Sequence, residues 1–486
     1  MNDAADNTAE TPANDAPAAP TPPFDAVRDE IGARADTVWT HGPGKAPGIP
    51  KRRKAALQGS GGRVAVVDGC RTPFVKSGGP FADMDVIDLA SVPAHHLIRR
   101  MNLAPGDVDL SIFGVVVPAL HGPNLGREVI LRTPLSDHTT GHTVNLACAS
   151  SNRAITSGAE SILSGQADIV LAGGAESLST VPITFSRKAS QTFVSLSKAK
   201  TAPQRLKLLG TLRAKDLAPV PPAIAEYVTG LTMGQSAEKM AKENEISRAA
   251  QDEIALASHH RAAHAQAQGW FDDQVVATHA EPRYKQMVDR DTIVRADTSL
   301  EALANLRPAF DRGYGTITAG NASPLTDGAS AVVLMSEARA KELGYEPLGY
   351  IRSYAYAAVD PANQLLQGPA YAAPQALDRA GMGLGDVDLV EMHEAFAAQI
   401  LSNLKAFASK RFAEEELGRD QPLGEVDLDK LNVTGGSIAI GHPFGATGAR
   451  VTMQVLESLR RRGEGTALIT VCAAGGHGFA MVVERG

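Results

Sequence analysis

From Arg63 onward, short runs rich in Val, Ile and Leu alternate with Ala-rich stretches of helical spacing. RVAVVDG, VDLSIFGVVV and ADIVLAGG read as buried strands bounded by turn residues. The C-terminal part repeats the pattern with LGYIRSYAYAAV, VDLVEMHEAF and TALITVCAAGG. Strands alternating with helices predict a layered α/β fold. The two parts also run in one order. VDLSIFG corresponds to VDLVEMH, and an Asn-initiated segment then enters a helix, NLACASSNRAI in one part and NVTGGSIAIGHPFGATGARV in the other. AESILSG or LESLRRRG follows, and then ADIVLAGG or TALITVCAAGG. This ordered correspondence reads as an internal duplication. It places one half at 63–181, with 324–346 returning to it, and the other at 347–486, while 182–323 matches neither and reads as an inserted loop domain. Residues 1–62 lack periodic apolar positions and read as a flexible extension outside the fold.

The 486 residues suggest roughly three units at about 150 residues each. A hydrophobic fraction of 43%, with 21% charged residues, fits a soluble globular chain rather than a disordered one. The net charge of -7 gives no general reason to expect nucleic acid. No apolar run is long enough to span a bilayer, and the acidic, Ala/Pro-rich start lacks the form of a secretory signal, so a cytoplasmic protein is expected. The basic run Lys51–Lys54 reads as a solvated charge cluster. Cys70, Cys148 and Cys472 are the only cysteines, and none forms a C-x-x-C pair, so neither a disulfide framework nor a metal site is expected.

The candidate chemistry lies at corresponding places of the two halves. Cys148 stands where the β-prone VNLA meets a helix, so the positive helix end would favour its thiolate; taken alone, it reads more readily as a small buried residue. His442 occupies the matching place in the second half, between Gly441 and Pro443. A His and a Cys at equivalent positions of two repeats form a plausible base and nucleophile. Cys472 should emerge where the strand TALITV meets a glycine turn, whose backbone N–H groups could hold an oxyanion; an incidental cysteine in a tight hairpin is the other reading. His393 and Glu394 follow the strand VDLVEM as a cap or a donor into the site.

Taken with RTP at Arg71–Pro73, TMGQSAE at 232–238 and TAGNASPLTDGA at 318–329, the Cys148, HEAF, GHPFGATGAR and CAAGG blocks resemble the thiolase family from about Arg63 to Gly486. HEAF and the insertion are most similar to the β subunits of bacterial fatty acid oxidation complexes. The resemblance implies a duplicated α-β-α-β-α fold and cleavage of 3-ketoacyl-CoA by CoA through an acyl-cysteine, with no metal or redox cofactor and with CoA as a substrate. It implies that Cys148 is the nucleophile, His442 its base, and Cys472 the acid/base at the substrate α-carbon. His393, where many thiolases have Asn, would hold the water at the thioester oxygen, and the backbone N–H groups of Cys148 and Ala474 would form a second oxyanion hole. Ser323, with Gly320 and Ala322, would contact pantetheine, while Met233 and Phe396 would wall the pocket.

The alternatives are an acetoacetyl-CoA thiolase working in the biosynthetic direction, a ketoacyl synthase, which commonly has a second His where Cys472 stands, and a non-catalytic acyl-CoA binder. Expected partners are a second copy and an α subunit with hydratase and dehydrogenase activities, in an α2β2 complex. Residues 197–216 carry Lys198, Lys200, Arg205, Lys207, Arg213 and Lys215 around a leucine stripe, which reads as a helix able to lie on an anionic membrane surface, as a lid helix, or as an α-subunit contact.

Overall fold

The computed structural model describes residues 22–43, 62–220, 222 and 224–486. The basic run at 51–54 lies outside them. Nine strands form one path in the order Leu389–Met392, Gly465–Ala473, His477–Arg485, Gly349–Ala358, Val64–Arg71, Thr326–Ser336, Ile169–Glu176, Leu110–Gly114 and Thr140–Val144. A short tenth strand, Val75–Lys76, pairs with Thr326–Ser336. The path reads symmetrically outward from its middle, where Val64–Arg71 and Gly349–Ala358 meet antiparallel through only three residue pairs, Val64 to Ile351, Ala65 to Tyr350 and Val66 to Gly349. Each half-sheet therefore carries the same order of corresponding strands, as the internal duplication requires.

Alternation along the strands divides the core. Val66, Ile112, Val170 and Leu334 of one half-sheet, and Ile469, Val471, Phe479 and Met481 of the other, share a single apolar cluster with helices Ser150–Leu163 and Thr447–Arg462. The opposite faces pack elsewhere. Ala65, Val67, Leu171 and Val333 meet helix Val86–Arg100, whereas Ala355, Leu468, Ala480 and Val482 meet helices Gly368–Ala380 and Ala397–Ala408. The result is five layers, α-β-α-β-α, with two corresponding helices in the middle. Among the described residues no helix is long and apolar enough to cross a membrane.

Three expectations change. The extension set outside the fold contains an ordered arm, residues 22–43, in which helix Asp25–Ile31 buries Phe24, Val27 and Ile31 against the C-terminal half. Its helix spans seven residues, too short for a clear periodic signal, and polar anchors do much of the holding. Lys405, fully buried, donates from Nζ to Glu30 at 3.2 Å, Thr37 at 2.6 Å and the Asn244 carbonyl at 2.7 Å. The insertion is likewise not a domain apart. Its helices Met233–Glu243 and Arg248–Ala267 place Met240, Ala250 and Ile254 in the core of the C-terminal half. Finally, 197–216 is not one helix. Helix Arg187–Lys198 ends, Thr201 caps a new helix Ala202–Leu209, and Gly210 follows, which cuts the expected stripe short. Leu206 and Leu209 are exposed, while Leu208 and Leu212 are half-buried.

Removing one partner of a buried ion pair leaves the other unpaired, at a cost of about 3–5 kcal/mol. Lys405→Ala is therefore expected to lower the unfolding free energy in urea by about that amount. A loss below about 1 kcal/mol would show that the arm contributes little to stability.

Candidate active site

The two middle-layer helices end against each other, which brings their preceding loops together. Asn152 donates to the Gly448 carbonyl at 3.2 Å, and the Ala449 N–H donates to Ser151 Oγ at 2.9 Å. A Cβ at Gly448 would stand 2.2 Å from Asn152 Oδ1, so glycine permits this approach. Cys148 lies just before the first helix, after Ala147 at φ +46°, and His442 lies before the second, after Gly441 at φ +113°. Their side chains meet with His442 Nε2 3.2 Å from Cys148 Sγ.

One carboxylate ties the loops to each other. Glu176, fully buried at the end of its strand, accepts the N–H of Val116 at 3.1 Å, Val117 at 2.8 Å and Gly445 at 2.9 Å. Asn145 links the 116 segment to the cysteine loop, donating to the Val116 carbonyl at 3.2 Å and accepting from the Ala147 N–H at 3.1 Å. Burial raises the Glu176 carboxyl to about 7, although all three N–H donors favour its charged form.

Hydroxyl partners set the two buried histidines in opposite tautomers. Thr447 has one hydroxyl proton and directs it to the Pro443 carbonyl at 3.1 Å, so at 2.6 Å it accepts the proton of His442 Nδ1. His442 Nε2 is then bare and able to take a proton from Cys148. Arg450 donates to Ser437 Oγ at 2.6 Å, which leaves the Ser437 proton for His393 Nδ1 at 2.8 Å. His393 consequently carries its proton on Nε2, a buried atom with no partner among the described residues, and the two rings lie 4.1 Å apart. Burial and the charge of Arg450 hold both rings neutral, His442 down to about 3 and His393 well below the usual range. Glu391, 3.1 Å from Arg450, partly balances that charge.

The helix end does not make Cys148 a resting thiolate. Desolvation of its sulfur raises the thiol to about 12, against the opposing pull of the N–H groups of Ala474 and Cys148 itself. Cys472 does not emerge from its strand, which runs on to Ala473: it is fully buried, it pairs with Gly478 across the ladder, and burial together with negative charge on Cys148 raises it well above the usual thiol range. The structure thus brings Cys148, His393, His442, Cys472 and Ala474 to one place.

Of the other expected residues, Ala322 and Ser323 lie against the segment that follows His393. Ser323 and Phe396 sit on adjoining segments, since Ala322 bridges Phe396 and the Ser323 N–H donates to the Ala395 carbonyl at 2.9 Å. Phe396 is buried edge-on against Phe310 at 6.0 Å, and Gly320 passes so close to Leu303 and Leu306 that a Cβ would stand 2.7 and 2.5 Å from them. Met233, half-buried, begins its helix. Sequence reasoning did not single out Glu176, Thr447, Ser437, Arg450 or Glu391. Thr447 stood in the GHPFGATGAR block, and a hydroxyl five residues after the histidine was the available signal. Glu394 accepts from Ser258 at 2.6 Å, from Asn432 at 2.7 Å and from the Ile438 N–H at 3.1 Å, so it caps the first turn of the short helix Ser437–Ile440 that carries Ser437. Cys148, His393 and His442 also place ligand atoms within 4.8 Å of one another, the one such cluster among the described residues, and its N/S set suits a soft ion such as zinc.

Two family models match the chain. The thiolase N-terminal domain matches residues 64–338 and the thiolase C-terminal domain matches 345–485. The chain belongs to the thiolase family. It is 53% identical over 425 residues to a 3-ketoacyl-CoA thiolase of Vibrio cholerae, covering 87% of this chain and 98% of that one. A 3-ketoacyl-CoA thiolase of Shewanella is 50% identical over 432 residues, with 89% and 99% covered. Among solved structures, human mitochondrial 3-ketoacyl-CoA thiolase in complex with CoA superposes with a TM-score of 0.73 at 32% identity, covering 89% of this chain and 99% of that chain. An acetyl-CoA acetyltransferase of Bacillus anthracis gives 0.75 at 33%, with 88% and 100% covered.

Thr447→Val should leave the His442 Nδ1 proton without an acceptor, a penalty of about 1–3 kcal/mol that falls on the tautomer with a bare Nε2. Alkylation of Cys148 by iodoacetamide at neutral pH is expected to slow by roughly tenfold, within the range that penalty allows. An unchanged rate would show that Thr447 does not set the His442 proton.

Proposed function

We propose that this thiolase cleaves 3-ketoacyl-CoA with CoA, giving acetyl-CoA and an acyl-CoA shortened by two carbons, as a 3-ketoacyl-CoA thiolase of fatty acid degradation. The observation that carries the reading is the 3.2 Å contact between Cys148 Sγ and Nε2 of His442, whose Nδ1 lies 2.6 Å from the Thr447 hydroxyl, with a second buried thiol, Cys472, close by. His442 takes the Cys148 proton as sulfur attacks the 3-keto carbon. The bond between C2 and C3 then breaks. Acetyl-CoA leaves as an enolate, and Cys472 protonates its α-carbon. The acyl group stays on Cys148. CoA next loses its thiol proton to the Cys472 thiolate and attacks the acyl carbon, and Cys148 recovers its proton from His442. The balance closes on side chains alone, so the proposed chemistry draws on no metal or redox cofactor.

Charge on oxygen is met from two sides. The partnerless Nε2–H of His393, acting through a water, serves the thioester oxygen of the enolate, and the N–H groups of Cys148 and Ala474 serve the former keto oxygen. Ser323, Gly320 and Ala322 would lie along the pantetheine arm, with Met233 and Phe396 as apolar walls. Burial of Cys472 fits an acid that must hold its proton until the carbanion forms. Cys472 also favours this reading over a ketoacyl synthase.

We further propose a homodimer, association with a hydratase/dehydrogenase α subunit as α2β2, and a cytoplasmic location with peripheral membrane contact. Among the described residues no strand pairs with the outer edge of Thr140–Val144, which ends the sheet and offers a template for a second copy. Helix Ala202–Leu209 buries none of its residues and exposes Leu206 and Leu209 among basic side chains, which favours the membrane over a packed lid.

Cys148→Ser is expected to abolish thiolysis. Cys472→Ser should still form an acyl adduct on Cys148, seen by mass spectrometry, but lose exchange of the acetyl α-protons with solvent; normal exchange would remove Cys472 from its role. A series of 3-ketoacyl-CoA substrates of increasing length tests the activity itself. For the contacts, light scattering should give a dimer alone and a larger species with a candidate α subunit. Salt-sensitive co-sedimentation with anionic vesicles should weaken when Arg205, Lys207 and Arg213 become Gln. An active monomer, or unchanged vesicle binding, would overturn the corresponding contact.

A further inference from the structure

A residue of the insertion, Glu226, hydrogen-bonds the glycine turn after Cys472. Residues 225–232 form a hairpin: Ala225 bridges Thr232, the Glu226 N–H donates to the Leu231 carbonyl at 2.8 Å, and the Gly230 N–H donates to the Glu226 carbonyl at 2.8 Å. Tyr227 and Val228 at its tip are 99% and 75% exposed, so packing of the tip does not hold the hairpin in place. A hydrogen bond reaches the body instead. Glu226 Oε2 accepts the N–H of Gly475 at 2.8 Å.

That turn requires an outside support. Gly475 and Gly476 have φ of +80° and +72°, the left-handed region, where glycine is favoured but little restrained by its own sterics. The far end of the turn is fixed, because the Val359 N–H donates to the Gly476 carbonyl at 2.8 Å and a Cβ on Gly476 would stand 2.2 Å from the Val359 carbonyl oxygen. The near end carries the Ala474 N–H, which faces the Cys148 sulfur. The peptide planes bearing the Ala474 and Gly475 N–H groups meet at the Ala474 Cα. A charge-assisted hydrogen bond on one plane therefore limits rotation of the other, and such bonds are about twice as strong as neutral ones.

We propose that Glu226 is a positioning residue for the thiolase reaction: by holding the Gly475 N–H, it keeps the Ala474 N–H aimed at the oxygen of the acyl group on Cys148. The inference rests on the reading of Ala474 as an oxyanion donor. It makes the insertion, which neither half repeats, part of the catalytic geometry.

Alkylation and acylation of the same thiol separate this role from general damage. Iodoacetamide needs the Cys148 sulfur and His442 and meets the Ala474 N–H only as a partner of the sulfur, whereas acylation by 3-ketoacyl-CoA also needs that N–H on the oxygen that becomes negative. In the full-length protein, Glu226→Ala is expected to slow single-turnover acylation and kcat at least tenfold, with KM for CoA within threefold and iodoacetamide labelling within twofold. Glu226→Gln keeps an acceptor oxygen and should recover most of the rate. Tyr227→Ser, at the exposed tip, should change neither rate by more than twofold. Wild-type acylation in Glu226→Ala, parallel loss of acylation and alkylation, a Gln variant as slow as Ala, or an equal loss in Tyr227→Ser would each overturn the proposal. If the unaltered protein forms no acyl adduct on Cys148, the underlying functional reading fails, independently of Glu226.

Discussion

Everything in this site depends on holding Cys148 Sγ within 3.2 Å of His442 Nε2, although the two residues come from opposite halves of a duplicated chain. Neither loop is regular structure, so the distance must be imposed from outside. The middle-layer helices impose it coarsely, through the close approach at Gly448 and Asn152. Glu176 imposes it finely, because one carboxylate receives Gly445, three residues after His442, together with the 116–117 segment that Asn145 links to the cysteine loop. Gly174 is needed for this approach, since a Cβ there would stand 2.0 Å from the Gly445 carbonyl oxygen.

Burial has a second consequence. In a site of low polarity, isolated charge is expensive, and the resting groups answer by staying neutral: a protonated Cys148, neutral His442 and His393, and a protonated Cys472. Arg450 is the permanent charge, and it lies behind Ser437 with Glu391 for balance. The Cys–His pair therefore separates charge only as substrate offers an electrophilic carbon and the N–H donors meet the oxygen that becomes negative. Fixed donors do this without reorganising.

The duplication was legible because each half must bury both faces of its own strands, and that obligation writes the same run of apolar segments twice. The Cys148 and His442 loops were legible for the same reason, as matching interruptions. What the sequence left out is tertiary. The tautomers follow from where the Thr447 and Ser437 hydroxyls send their protons, and no spacing rule encodes a second acceptor such as the Pro443 carbonyl. The helix-end argument for a Cys148 thiolate was physically sound but weighed one term, and desolvation of the sulfur outweighs it. The arm at 22–43 was missed because Lys405 and Glu30, which secure it, are 375 residues apart and look like surface charges until the fold buries them.

Register shows how the two halves came to differ. Leu110 pairs with Val170, and the corresponding Leu389 pairs with Ala467, so Gly114 occupies the place of His393 and Ala175 that of Cys472. At the first place, a side chain in the N-terminal half is forbidden: a Cβ on Gly114 would stand 2.6 Å from Ser150. The C-terminal half has room there, and it carries the histidine with the partnerless N–H. At the next place along the strand, the N-terminal half carries Glu176 and the C-terminal half carries Ala473. One half thus keeps small residues and a structural carboxylate, and contributes the Cys148 nucleophile alone. The other contributes His393, His442 and Cys472. Because the same backbone positions face the same seam, this division lets one half fix the geometry while the other supplies the groups that move protons.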